Sequence, residues 1–249
     1  MRETRIIMGM PITVEIVDNT GDQQSLDLIF EYFTHIDNKF STYKKESEIS
    51  RINMGLIGKE KYSEEMREVF ELSEKTKQET EEYFDIRKPN GFLDPSGLVK
   101  GWAIHNASNT LKSMGYKNFY IEAGGDIETF GKNKEGKPWT IGIRNPFNTD
   151  ELIKILEVEN KGVATSGNYI RGNHIYDPLN KDVVAGIASF TVIGPNIYDA
   201  DRFATAAFAM GENGIFFIEN LPGFEGYIVD KNGTATMTQG FNKYQKINA

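Results

Sequence analysis

At 249 residues, with 39% hydrophobic and 26% charged side chains, the chain can bury a full core, which excludes a disordered polypeptide. A net charge of -8 excludes a general nucleic-acid surface, which needs a basic stripe, but leaves room for a local anion site. The absence of cysteine removes disulfides, thiolate metal sites, thiol nucleophiles and lipid attachment through a thiol.

In chain order, residues 5–17 are rich in β-branched and apolar side chains and read as one strand, with Pro11 expected at an edge or bulge. Leu26, Ile29, Phe30, Phe33 and Ile36 recur at helical spacing and predict a helix over 23–39. Phe40-Ser41-Thr42-Tyr43 reads as a loop, and Ser47 as the cap of a short helix. Residues 63–82 predict a helix with Ser63 as N-cap, Met66, Val69, Phe70 and Ser73 inward, and a solvated charged side. Asp94-Pro95-Ser96-Gly97 turns sharply and launches a helix that stops at Gly115. Phe119–Ala123 is a strand, and residues 127–145 read as a hairpin. Within that hairpin Gly131 to Lys137 matches the first part of a Walker A pattern, but Pro138 stands where Ser or Thr must bind Mg²⁺, so no P-loop is assigned. Strands over 152–158, 161–166 and 187–193, a helix over 199–210, a short helix near 212–220 and strands near 225–230 and 234–238 complete the core. The polar tail from Gly240 is expected to be poorly ordered. Strand runs interspersed with helices and hairpin signals indicate an α+β fold with mixed or antiparallel sheets. No repeat or linker is visible, so the chain reads as a single domain over residues 1–249, or as two intimately packed α+β halves. The N-terminus lacks an apolar leader and no stretch reaches membrane-span length, so a cytoplasmic protein is expected.

Two runs carry chemistry. The turn at Asp94-Pro95-Ser96-Gly97 feeds a helix start, where unpaired N–H groups suit an anion, and Lys100 adds a point charge one turn on. The same four residues also make an ordinary turn and cap. Asp201 and Thr205 stand four apart on one helical face and offer hard oxygens of the kind Mg²⁺ accepts. An Asp early in a helix is equally explained by the macrodipole. Asp199 lacks the relation to Thr205 and is left as a cap.

The chain resembles the ApbE family, the FAD:protein FMN transferases. The resemblance rests on Met8-Gly9, Ser41-Thr42-Tyr43, the run Ser47 to Asn53, Phe84-Asp85, the run Asp94 to Gly101, Gly124-Gly125-Asp126, the run Ala164 to Tyr169, the run His174 to Pro178, and the run Ala200 to Ala206. It implies a T-fold-like α+β architecture and a Mg²⁺-dependent enzyme that moves the FMN half of FAD onto a Thr or Ser hydroxyl of an acceptor flavoprotein, releasing AMP. By the same resemblance Met8 and Tyr43 would contact the FAD rings, and Tyr83, Phe84 and Asp85, with Thr165 and Ile175, would line the FAD pocket. Asp94 and Lys100 would hold the dinucleotide. Gly97 (through its carbonyl), Asp201 and Thr205 would bind the metal. His174 would be the base for the acceptor hydroxyl, and Asp177 could orient its imidazole. An FAD pyrophosphatase and a non-catalytic FAD-binding protein are the alternative readings. Many family members are lipoproteins or exported, whereas this chain is expected to have neither leader nor lipid-accepting cysteine; it also departs from the family in a short segment between Asp85 and Asp94 and in Asn168 where Asp is common.

Overall fold

A computed structural model describes residues 1–167, 176–180 and 182–246. The described residues form an eight-stranded antiparallel sheet, a separate two-stranded hairpin and the helices that cover the sheet. The chain opens with β1 (Arg2–Ile7) and β2 (Met10–Ile16), then runs through α1 (Gln23–Phe40), α2 (Glu48–Asn53), α3 (Glu64–Glu79) and α4 (Ser96–Ser113). Strands β3 (Phe119–Ala123), β4 (Asp126–Phe130), β5 (Trp139–Arg144), β6 (Leu152–Val158), β7 (Gly162–Gly167) and β8 (Ile187–Gly194) follow. Then come α5 (Ile197–Ala209), α6 (Gly214–Glu219), β9 (Glu225–Asp230) and β10 (Ala235–Met237).

The sheet order β1-β2-β3-β4-β7-β8-β9-β10 contains one topology twice. In each half two strands, a helical excursion and two more strands lie side by side in sequence order, and the halves join where Ile127 pairs with Val163 and Glu128 with Gly162. No side-chain pattern repeats, so the duplication of topology was invisible in the sequence.

Local chemistry explains most boundaries. The Asp22 carboxylate accepts from Ser25 N–H at 2.8 Å to start α1, whose Leu26, Ile29, Phe30, Phe33 and Ile36 form one buried stripe. Ser63 caps α3 as expected. Three expectations are corrected. The segment 5–17 is two strands, because Met8 and Gly9 both adopt positive φ and turn the chain back on itself. Pro11 lies in β2, inside the sheet; its carbonyl accepts from Gly124 N–H at 3.1 Å, just beyond the end of β3, where no ladder bond requires its missing N–H. The hairpin over 127–145 does not form, since both edges of β4 are taken by β3 and β7, and β5 pairs with β6 instead.

Two cores result. Helices α1, α4 and α5 pack on one face around Ile12, Val14, Phe119, Ile121, Phe190 and Phe208. The β5–β6 hairpin covers the other face through Trp139, Ile141, Leu156 and Val158. The tail is not loose at its start: Phe241 is fully buried and stacks on Tyr227 at 5.3 Å. Among the described residues no helix is long and apolar enough to cross a membrane.

Candidate active site

The site forms where the first turns of α4 meet the middle of α5. Close approach is possible because α4 presents glycines there. A Cβ on Gly101 would lie 2.6 Å from Asp201 Cβ and 2.8 Å from the Ile197 carbonyl oxygen. In that gap Gly101 N–H donates to Asp201 Oδ2 at 2.7 Å, and the Thr205 hydroxyl donates to the Gly97 carbonyl at 3.3 Å, with Ser166 Oγ 3.5 Å from Thr205 Oγ1.

Strand β4 supplies the floor. Its two-residue period turns Ile127 into the hairpin-side core and sends Asp126 and Glu128 to the helical side, where apolar side chains would be usual. Asp126 follows the positive-φ turn Gly124-Gly125, is 1% exposed, and accepts Thr165 N–H at 3.2 Å through Oδ1. Its Oδ2 stands 2.5 Å from Lys100 Nζ, and Lys100 lies 3.6 Å from Asp201 Oδ1. Burial pushes the Asp201 carboxyl well above the usual carboxylate range; Lys100 pulls it down and the neighbouring Asp126 pushes it further up. Glu128 accepts Ile197 N–H at 2.6 Å and so ties β4 to the first residue of α5.

The rim is a strapped loop. Asn53 bonds both backbone groups of Leu93, at 2.9 and 2.8 Å, Asp94 N–H donates to the Ile86 carbonyl at 2.7 Å, and Arg87 bridges Leu93. Ser47 and Ser50 both bond the Ser41 carbonyl, so the run from Ser41 to Asn53 braces this loop. Asp94 pairs with Lys88 and accepts Ser96 N–H at 3.1 Å. Burial raises its pKa, but Lys88 and the Ser96 bond outweigh that and hold it below the usual range. Phe84 is buried beneath the rim with its N–H on Thr80 Oγ1 at 3.1 Å, and Asp85 is held by Lys77 and by Arg87 N–H, each at 2.8 Å. The Tyr176 hydroxyl donates to the Arg87 carbonyl at 3.0 Å, and burial pushes its pKa up to about 12.

Part of this set lines one cleft of about 960 Å³, its open mouth included. Tyr83, Phe84, Asp85, Asp94, Gly97, Lys100, Thr165, Asp201 and Thr205, all singled out in the sequence, line it together. Tyr43 does not: it is 96% exposed and lines a neighbouring groove that shares Lys88 and Asp94 with the cleft. Met8 sits at the tip of the β1–β2 turn, partly buried against the core and outside the cleft lining. His174 and Ile175 lie outside the described residues. Asp177 does not line the cleft; its Oδ1 accepts Leu179 N–H at 2.9 Å, while Tyr176 and Pro178 beside it do line the cleft.

At the start of α4 one N–H, that of Ser96, is already taken by Asp94. One further expectation changes. The cap of α5 is Asn196, whose side chain accepts Asp199 N–H at 2.9 Å; Asp199 instead pairs with Arg202 at 2.7 Å. Arg202 also pairs with Glu79 of α3 and lies over the Phe203 ring at 4.0 Å, so it fastens α5 to α3. The sequence did not single out Lys88, Ser96, Ser166 and Tyr176, which also line the cleft, nor Asp126, which lies beneath the lining and pairs with Lys100. An acid directly after Gly-Gly was the available signal for Asp126.

Among the described residues no group of three or more His, Cys, Asp or Glu side chains is arranged to hold a metal. What the cleft offers is one carboxylate, a hydroxyl and a carbonyl, from Asp201, Thr205 and Gly97, hard donors that fit a Mg²⁺ ion whose other positions are filled by water and phosphate oxygens.

The sequence model of the ApbE family matches residues 8–88 and 86–228. The FAD:protein FMN transferase of Haemophilus influenzae is 28% identical over 170 residues, 64% of this chain and 49% of that protein. The FAD:protein FMN transferase of Vibrio cholerae is 33% identical over 134 residues, 50% of this chain and 40% of that protein. The aligned part of the chain thus spans about half or less of the length of these relatives. Among solved structures, the flavin transferase ApbE from Vibrio cholerae superposes with a TM-score of 0.85 at 22% identity, covering 98% of both chains. The ApbE protein from Thermotoga maritima superposes with a TM-score of 0.86 at 21% identity, covering 99% of both. With a family match that spans most of its length, the chain belongs to the ApbE family.

Proposed function

We propose that this chain is a Mg²⁺-dependent flavin transferase that moves the FMN half of FAD to a Thr or Ser hydroxyl of an acceptor flavoprotein. The observation that carries the reading is the cleft floor, where Asp201, Thr205 and the Gly97 carbonyl converge beside Lys100 under the wall of Tyr83 and Phe84. Family membership and the names of the two relatives support the same activity.

In this reading the acceptor oxygen bonds to the FMN-side phosphorus, the bond from that phosphorus to the bridging oxygen breaks, and AMP leaves with the bridging oxygen. Asp201, Thr205 and the Gly97 carbonyl would hold Mg²⁺, which would supply charge neutralisation on the pyrophosphate. Lys100 adds a positive charge at the cleft floor, where negative charge builds on the leaving group. His174 takes the hydroxyl proton, its near-neutral intrinsic pKa suiting it to the task, with Asp177 as its orienting group. Tyr83 and Phe84 present aromatic surface to the flat rings of FAD.

Intact-mass spectrometry tests this. A flavin-carrying acceptor domain incubated with the chain, FAD and Mg²⁺ should gain the mass of an FMN phosphoester, and chelation should abolish the gain. Release of free FMN and AMP with no gain on any acceptor would establish a pyrophosphatase instead.

A further inference from the structure

The cleft floor and the layer beneath it hold three charges, Asp201, Lys100 and Asp126, where the proposed chemistry uses two. Asp126 meets the metal set at the Asp201 carboxyl, to which it hydrogen-bonds, and it is the less exposed of the two carboxylates, at 1% against 2% for Asp201. It is also rigidly placed. The Gly124-Gly125 turn precedes it, Ala123 pairs across from it, and Thr165 N–H holds its Oδ1. Its Oδ2 takes the Lys100 ammonium at 2.5 Å and leaves that ammonium 3.6 Å from Asp201. Glu128, the other inward acid of β4, is committed to the backbone of Ile197 and does not share this task.

We propose that Asp126 is a positioning residue that draws Lys100 off Asp201 and so leaves Asp201 open to a divalent cation; this rests on the metal reading of Asp201, Thr205 and Gly97 given above. The charge count supports it. With a divalent ion bound both carboxylates are ionised, and the two of them with the ammonium and the ion sum to plus one, against plus two without the Asp126 charge. Without the Asp126 charge, Lys100 has Asp201 as its nearby counter-ion, and the incoming ion meets a neutral pair with an ammonium seated on its ligand. At spacings of a few ångströms inside a protein, one charge of this kind is worth about tenfold or more in affinity.

The test is Mn²⁺ binding to the full chain, with free Mn²⁺ read by electron paramagnetic resonance. The wild type should show one saturable site, and Asp201→Ala should lose it; no such site in the wild type would overturn the metal reading itself. Given that site, Asp126→Asn should bind at least tenfold more weakly, and Asp126→Glu, which keeps the charge, within about threefold of wild type. The double variant Asp126→Asn with Lys100→Gln should recover most of the loss, because the competing cation is gone. Unchanged affinity in Asp126→Asn, or no recovery in the double variant, would overturn the positioning role. If Asp126→Asn does not fold, Lys100→Gln alone decides: binding at least threefold tighter than wild type is expected, and unchanged or weaker binding counts against it.

Discussion

Asp201, a metal ligand in the proposed function, sits where a carboxylate is poor for stability. It is buried at the α4–α5 contact, its carboxyl is pushed up by desolvation, and its Oδ2 is spent on the Gly101 N–H. A raised folded value means that the folded state keeps a proton the unfolded chain has released. Its contribution is therefore full below the ordinary carboxylate range and is lost as pH rises through the folded value. Asp201→Asn should accordingly leave the metal-free protein at least as stable as wild type at pH 7. The Tm gap in favour of the variant should widen as pH is raised from about 4 to 8. On the proposed function, transfer by the same variant should fall about 100-fold or more, since a neutral amide would hold Mg²⁺ poorly. A thermal melt series in chelator, beside the mass assay, checks both halves. Asp94 has the opposite sign: its lowered value gives stability that is present above the usual carboxylate pKa and lost as pH falls through the folded value.

The contact of α4 with α5 is the element that builds the site, and its geometry is set by missing atoms. Helix α4 buries residues around most of its circumference, from Leu98 to Leu111, so it runs through the interior and does not lie over it with one face in solvent. Gly101→Ala would place a methyl 2.6 Å from Asp201 Cβ and against the Ile197 carbonyl, which cannot turn aside as a side-chain tip could. Overpacking of this kind should cost about 2–3 kcal/mol in a denaturant titration and weaken metal binding together with it, because the same shift moves Asp201. The sequence showed where α4 starts and stops, since the turn at Asp94-Pro95 and the glycine at 115 are local signals. It did not show that β4 turns its acids toward the helices, because inward and outward positions of a strand differ only through what packs on them.

At the scale of the whole molecule the two faces of the sheet are covered by different material, helices on one side and the β5–β6 hairpin with Phe241 and Tyr244 on the other. Each face has its own tryptophan: Trp102 packs edge-on against Phe40 at 5.8 Å, and Trp139 stacks on Tyr120 at 5.5 Å. Because both cores share β4, β7, β8 and β9, they should unfold together. Fluorescence of Trp102→Phe and of Trp139→Phe should therefore give coincident midpoints once each variant's own stability change is measured by circular dichroism. Phe241→Ala should cost about 3–5 kcal/mol, a loss a disordered tail would not produce.

The sequence by itself determined the α+β class, the helix caps at Ser47 and Ser63, most strand positions, and the family resemblance that drew Asp94, Gly97, Lys100, Asp201 and Thr205 together. Each of these follows from local periodicity, from side chains bonding their own neighbours, or from an ordered set of short motifs. Only the tertiary structure decided that residues 127–145 part into two sheets, that the two halves repeat one topology, that Tyr43 faces a separate groove, and that Asp126 holds Lys100. Those outcomes depend on which strand edges are already filled and on which charges meet after burial, and such pairings between residues far apart in the chain leave no periodic trace along it.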